Sequence, residues 1–316
     1  MGVQVPPRTR WGWRNPAPFA VPGEDFVGDQ ARHQEAVVAK RHVTDEAYFT
    51  PPSLAADSLG VVTAHFPLAD FDLIVEPSAG DGVFLDLLPA DRRIGIDITP
   101  RRSDLVQQDF LRWFPSDPTK RILVIGNPPF GQRAALAIRF IRHAAGFADV
   151  IAFILPRSFN KDTFQNRVPL EFHLVASQNL DDAFRIGGNR EQRVRTVFQV
   201  WERRESYRDA AKRPDSHPHF RLKHAHLSRV SPNKLAELRD EFPFTIPQVG
   251  LTFRPQDTAT VEKGSHWFIQ PLAPGVRDVF DRLDFSFLED MNTAHTSLSK
   301  ADIVQAYETA LHRRTV

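Results

Sequence analysis

The stretch Leu73–Phe84, "LIVEPSAGDGVF", decides the fold. Its first half is a run of branched apolar residues that suits a buried strand. Its second half places Gly80 and Gly82 in a short loop before the next apolar run. Glycine there lets the backbone approach a ligand closely, and open α/β sheets bind ligands at the carboxyl ends of their strands. A dinucleotide fingerprint would call for a third glycine at position 85, which is Leu85. Without it, and with Glu76 heading the loop, a pyrophosphate is a poor guest. A ligand with an amine and an uncharged adenosine suits the loop better. A plain strand-to-helix turn is the other reading of the same residues.

Working outward, apolar β-type runs alternate with helical ones. Strands are predicted at 73–79, 92–98, 104–109, 121–127, 150–156, 172–178 and 195–201. Helices are predicted over Ser53–Phe66, Gly82–Leu88 and Arg133–Gly146. Strands apolar on both faces and separated by helices imply a parallel sheet covered on both sides, a doubly wound, seven-stranded, Rossmann-like α/β fold. Residues 1–40 are rich in Pro, Arg and Gly and read as an N-terminal arm. Residues 41–204 form the expected core, and 205–316 a small accessory region. Its ending "SKADIVQAYETAL" reads as a helix capped by Ser299, with Ile303, Val304, Tyr307 and Leu311 on one face.

Composition excludes several classes. The 316 residues are 41% hydrophobic and 25% charged, which suits a globular protein with a sizeable core. Zero Cys rules out disulfides and thiolate metal sites and fits a reducing cytosol. No signal-peptide pattern opens the chain and no apolar run reaches ~18 residues, so a soluble, cytoplasmic protein without membrane contact is expected. Net charge is only +1. Basic residues are nonetheless concentrated, with Arg8, Arg10 and Arg14 unopposed in the first twenty residues and ten Lys/Arg against six acids in 200–240. Local basic segments suit a face that meets phosphate, and equally a solvated surface.

Two further strand ends carry acids. Asp97 lies 21 residues after Glu76, where a carboxylate can accept both ribose hydroxyls. Asp109 and Phe110 end the third strand, an acid for an adenine amino group and a ring to lie against the base. The fourth strand ends in "NPPF", Asn127, Pro128, Pro129 and Phe130. An exocyclic amine on a base is a poor nucleophile because its lone pair is delocalised into the ring. The Asn127 side-chain carbonyl and the Pro128 backbone carbonyl can each accept one of its N–H groups, which aims the lone pair at a methyl donor. Two prolines hold those carbonyls without reorganisation. Phe130 offers a face for a flipped-out base. A proline-stiffened loop is the bland alternative.

On these residues the chain resembles the class I S-adenosylmethionine-dependent amino-methyltransferases, the N6-adenine DNA enzymes above all. "EPSAGDGVF" is similar to their cofactor loop, Asp97 to their ribose acid, Asp109-Phe110 to their third motif and "NPPF" to their catalytic motif. Tyr48, Phe49, Thr50 and Pro51 match their upstream cofactor motif, and the motif order is of the gamma type. The resemblance covers about residues 43–203. It implies S-adenosylmethionine as cofactor, with Tyr48, Phe49, Thr50, Pro51, Glu76, Pro77, Ser78, Ala79, Gly80, Gly82, Asp97, Ile98, Asp109, Phe110 and Asn127 around it. It implies Asn127, Pro128, Pro129 and Phe130 as the catalytic set, no metal, and DNA as the favoured partner. Phe at position 130 is common in RNA adenine and guanine methyltransferases, so RNA is the alternative substrate. A protein glutamine methyltransferase and a non-catalytic nucleic-acid binder are the further rivals.

Other constellations stay open here. His217, His219, His224 and His226 stand at strand-like spacing without acids or Cys at ligand spacing, and read as exposed or phosphate-facing rather than zinc-binding. "RIGGNREQRVR" (185–195) is either a solvated turn or a phosphate-contacting loop. Trp11 and Trp13 read as packing of the arm onto the core or as base-stacking residues.

Overall fold

The computed structural model describes residues 48–181, 183–186, 190–250, 252–291 and 297–312. The predicted arm, with Arg8, Arg10, Arg14, Trp11 and Trp13, lies outside them, as does the tip of the 185–195 segment at 187–189. The chain divides into two compact units. The first holds residues 48–155, Val168–Val194 and Phe198–Arg208, and the second holds Pro156–Arg167, Arg195–Val197 and 209–312.

In chain order the elements up to residue 203 are β1 (Tyr48–Phe49), α1 (Pro52–Thr63), β2 (Leu73–Pro77), β3 (Arg93–Asp97), β4 (Val106–Gln107) and β5 (Ile122–Gly126). There follow α2 (Ala135–Ala144), β6 (Val150–Pro156), α3 (Asp162–Gln165), β7 (Phe172–Leu180), β8 (Ala183–Ile186), β9 (Arg190–Arg193) and β10 (Thr196–Arg203). Seven of these strands form one sheet in the order β4-β3-β2-β5-β6-β10-β7. The pairs β4–β3, β3–β2, β2–β5 and β5–β6 are parallel. The chain thus starts in the middle of the sheet, builds outward through β3 and β4, then restarts on the other side with β5. That reversal, between β2 and β5, is the topological switch point, the place at which open α/β sheets bind their ligands.

The strands are apolar on both faces because both are covered. Ile74, Leu123, Ile125, Ala152, Ile154, Phe198 and Val200 share one buried cluster with Leu54, Ala55 and Val62 of α1. Their alternates Val75, Val124, Ile151 and Phe153 are fully buried too. Pro52 at the first helical position starts α1 without loss of a hydrogen bond, since that amide has no intrahelical partner.

Two expectations change. The run Gly82–Leu88 is no α-helix but a single 3₁₀ turn, Leu85–Leu87, because Pro89 follows at once and the Glu76 carboxylate takes the amides of Phe84 and Leu85. The third predicted strand shrinks to Val106–Gln107. One element was not foreseen. β8 and β9 form an antiparallel hairpin, and β1 pairs with β8 to complete a three-stranded sheet, with Tyr48 opposite Ile186 and Phe49 opposite Arg185.

The second unit carries β11 (Phe220–His226), α4 (Pro232–Glu241), β12 (Phe244–Pro247), β13 (Gln256–Asp257), β14 (Ser265–Pro271), α5 (Val276–Phe280) and α6 (Lys300–His312). Its strands order as β11-β14-β12-β13. Phe220, Phe244, Trp267, Ile269, Phe280 and Tyr307 lie in its main apolar core. Helix α6 begins as its sequence predicts: Ser299 Oγ accepts from the Asp302 amide at 3.2 Å and Asp302 Oδ2 accepts from the Ser299 amide at 2.8 Å.

The basic residues of 200–240 divide: Arg204, Lys212, Arg221, Lys223, Arg229 and Lys234 are exposed, while Arg203, Arg208, Arg213 and Arg239 are partly buried. Arg203 donates to the Ala145 and Ala148 carbonyls and covers the Phe172 ring. Arg208 donates to the carbonyls of Phe172 and Val168. Arg239 caps the Thr258 and Val261 carbonyls, and Arg221 pairs with Glu241. The histidines are also engaged: His217 meets Glu308 at 2.9 Å, and His219 lies 3.3 Å from the Tyr307 hydroxyl. Among the described residues no cluster of three or more His, Asp or Glu could hold a metal ion, and no helix is long and apolar enough to cross a membrane.

Candidate active site

The loop after β2 is built on three left-handed residues, Ser78 (φ 56°), Gly80 (φ 55°) and Gly82 (φ 74°). Only Gly adopts this conformation without cost, so Ser78 stores strain of about 1–2 kcal/mol. Gly82 is required for space as well, since a Cβ there would lie 2.7 Å from Arg102 Nη1. Arg102 is itself fixed by Asp86 and Asp104, both at 2.7 Å, and donates to the Asp81 carbonyl at 3.3 Å.

Two acidic side chains hold this loop. Glu76, only 3% exposed, accepts from the amides of Phe84 (3.3 Å) and Leu85 (2.7 Å). Asp97 accepts from Gly80 N at 2.8 Å with one oxygen and from Thr99 N at 2.8 Å with the other. The Ala79 amide donates to the Ile96 carbonyl, and Pro77 is buried at the strand end. The ends of β2 and β3 are thereby tied together. Ile98, next to Asp97, is 46% exposed and offers apolar surface beside that carboxylate.

Burial pushes the Glu76 carboxyl from its ordinary 4.5 up to about 8, outweighing the two amide donors, which act the other way. Between those values the folded chain keeps a proton that the unfolded chain has released, so stability falls as pH rises through this window. Glu76→Gln should flatten that fall. Urea midpoints at pH 5 and pH 8 read it, and equal declines in both proteins would contradict the assignment.

The third acid behaves differently. Asp109 caps the Phe110–Arg112 turn by accepting from Leu111 N at 2.9 Å. The Phe110 ring was expected to lie against a base. It is 2% exposed, packed on Phe140 (5.2 Å) and His143 (5.0 Å), because the short turn points it into the apolar side of α2.

The end of β5 meets the upstream motif. Asn127 Nδ2 donates to Thr50 Oγ1 at 3.1 Å and toward the Tyr48 carbonyl at 3.4 Å. The Tyr48 ring lies nearly parallel to Phe130, at 6.3 Å and 19°, and edge-on to Phe184 at 6.2 Å. The Phe49 ring reaches the Gly80 backbone, 3.6 Å from where a Cβ would stand, and Arg101 covers it at 4.4 Å. Pro51 follows as the N-cap of α1. Tyr48, Phe49 and Thr50 therefore join the cofactor-type loop to "NPPF". Pro128 is buried and Pro129 half-buried, and the Phe130 carbonyl accepts from the amides of Leu136 and Ala137 at the start of α2. Just beyond, Arg133 (φ 50°) and Ala134 (φ 60°) are left-handed, a second strained turn.

No protein-family model and no curated protein matches this chain. Several solved structures are similar to about half of it. A Pyrococcus horikoshii protein assigned as an RNA methyltransferase shares 18% identity over 51% of this chain and 88% of its own, with a TM-score of 0.41. A type I restriction-modification methyltransferase subunit from Streptococcus thermophilus shares 14% over 54% of this chain and 48% of its own, TM-score 0.38. The N-methyltransferase NodS from Bradyrhizobium japonicum, in complex with S-adenosyl-L-homocysteine, shares 11% over 48% and 86%, TM-score 0.34.

Sequence reasoning missed Arg101, Arg102 and Phe184, which hold the loop and the upstream strand in place. The adjacent Arg pair directly after "DITP" was the available signal for the first two. Phe184 had none, since its partner Tyr48 lies far upstream in the chain.

Proposed function

We propose that this chain is an S-adenosylmethionine-dependent methyltransferase acting on the N6 amine of adenine in DNA. The observation that carries the reading is the orientation of Asn127. The Tyr48 carbonyl can only accept, so the carboxamide must turn its NH₂ end toward it, which leaves Oδ1 as the group to offer an incoming amine.

The loop chemistry fits this cofactor better than a dinucleotide. A pyrophosphate needs the free amides of a helix N-terminus. Here the amides of Phe84 and Leu85 are held by Glu76, and no α-helix follows. Asp97, with Ile98 beside it, supplies an acceptor and an apolar wall for an adenosine. S-adenosylmethionine, when bound, supplies a methyl group whose carbon takes the amine's lone pair while its bond to sulfur breaks, leaving a thioether and releasing one proton from nitrogen. Asn127 Oδ1 and the Pro128 carbonyl accept the two N–H bonds of the amine, and the prolines fix those acceptors beforehand. Phe130 provides the stacking face for the extruded base. The second unit serves target recognition.

Phe at 130 supports one second reading, an RNA adenine-N6 or guanine-N2 enzyme with the same chemistry. A cofactor test applies to both. Asp97→Ala removes charge-assisted hydrogen bonds, each contributing about 1.5–3 kcal/mol, so S-adenosylmethionine affinity by calorimetry should fall roughly tenfold or more. Unchanged affinity would remove Asp97 from the site.

A further inference from the structure

We propose that the exposed side of α2 and the turn packed beside it hold the phosphate backbone of the substrate DNA, through Arg112, Arg133 and Arg139. The proposal rests on the DNA methyltransferase reading above and names the surface that carries the strand next to its target base. From Phe110 to Ala148 the chain has six Lys/Arg against a single acid, Asp117, although the whole protein has a net charge of only +1. That stretch contains "NPPF", so the surplus flanks the proposed catalytic turn on both sides in sequence. Three of the six are accounted for by their neighbours. Arg121 pairs with Asp70 at 3.5 Å, and Lys120 acts on the Asp117 carboxylate. Arg142 lies in the last turn of α2, where the helix dipole favours a cation. No such account covers the other three. Arg133 and Arg139 are exposed and, among the described residues, pair with no acid. The Arg112 side chain is 85% exposed, and its pair with Asp109 is loose, at 3.9 Å.

The three arginines belong to one surface that continues from the catalytic turn. The bonds from the Leu136 and Ala137 amides to the Phe130 carbonyl close the loop that carries Arg133, which keeps it next to "NPPF". Arg139 stands just over one turn into α2, on its exposed side. Arg112 ends a turn that packs on the same helix, with Phe110 against Phe140 and His143. Phe114, 51% exposed, lies edge-on to His143 at 4.9 Å and adds an uncovered ring. A merely solvated helix face mixes signs, because opposite charges one turn apart support the helix. The ten residues of α2 include no acid. Guanidinium groups match phosphate oxygens, and an exposed ring among them suits a nucleic-acid strand, which offers bases and sugars as well as charge.

The test measures binding of duplex DNA to the full chain by fluorescence anisotropy across a salt series. Each phosphate contact contributes about 0.9 to the slope of log affinity against log salt. The slope should therefore become shallower by about two to three in the triple variant Arg112→Gln, Arg133→Gln, Arg139→Gln, and by about one in Arg139→Gln alone. The single variant alters only an exposed helical position, so it reads the effect without disturbing the fold. Replacing the same three arginines by Lys keeps the charge and should keep most of the slope. Arg92→Gln is the control: Arg92 directly precedes β3, at the opposite end of that strand from Asp97, and its removal should leave the slope unchanged. A parent-like slope in the triple variant would overturn the proposal while leaving the methyltransferase reading intact. A change in Arg92→Gln as large as that in Arg139→Gln would also overturn it, because the effect would then be one of net charge. If the parent neither binds nor methylates DNA, the DNA reading fails and the proposal with it.

Discussion

Asn127→Ala is expected to lose methyl transfer by about 10²–10³-fold, the cost of deleting one preorganised partner of a developing charge. The interaction belongs to the transition state, when the amine nitrogen changes shape, so the loss should appear in the chemical step and leave cofactor affinity nearly intact. Asn127→Asp keeps an acceptor at the same place and should retain part of the rate. It loses the Nδ2 bonds to Thr50 and Tyr48, however, so full activity is not expected. Phe130→Tyr should be tolerated, whereas Phe130→Ala should impair target binding as well as rate. Single-turnover kinetics separate these effects. A parent-like rate in Asn127→Ala would mean that the prolines only shape a loop.

The largest stability effect is expected from Arg213→Ala. Asp302 is fully buried, and Arg213 meets it at 2.7 Å while reaching Asp162 at 2.8 Å. Removing the arginine leaves a carboxylate out of water with the Ser299 amide as donor and the Lys161 charge acting on it from nearby. Breaking a buried pair in this way costs about 3–5 kcal/mol. Asp302→Asn keeps the capping geometry and drops the charge, and should cost clearly less. Urea unfolding of both variants checks the ranking. A loss under about 1 kcal/mol for Arg213→Ala would show that water or another group takes over the carboxylate.

Arg213 also illustrates what charge counting leaves out. Counting charges in residues 200–240 shows a positive surplus, but charge counting cannot see where a guanidinium ends. Arg203, Arg208, Arg213 and Arg239 all turn toward internal carbonyls or carboxylates, because irregular segments and strand ends leave acceptors that only long donors can reach. Phe110 is a related case: an aromatic beside an acid reads as a stacking face, yet a one-turn connection aims it into the core.

The central sheet was legible for the opposite reason. Its strands are apolar on both faces and short, and each ends in turn-forming or acidic residues, so Leu73–Pro77, Arg93–Asp97, Ile122–Gly126 and Val150–Pro156 announce themselves locally. The loop of Gly80 and Gly82 and the "NPPF" turn were visible as residue types at strand ends. Their joining was not, since the bond from Asn127 to Thr50 and the contact of Phe49 with Gly80 depend on a strand held by the β8–β9 hairpin. The absence of a helix after Gly82 was hidden too, because periodicity over seven residues cannot distinguish a 3₁₀ turn from a helical one.

The most direct measurement is transfer of a labelled methyl group from S-adenosylmethionine to duplex DNA, single-stranded DNA and RNA, followed by mass spectrometry of the released nucleosides. The account predicts labelled N6-methyldeoxyadenosine from DNA with the parent protein and its loss with Asn127→Ala. Label recovered only in RNA nucleosides would move the substrate to the second reading. No labelled nucleoside from any of the three, under conditions where the protein binds S-adenosylmethionine, would contradict the account.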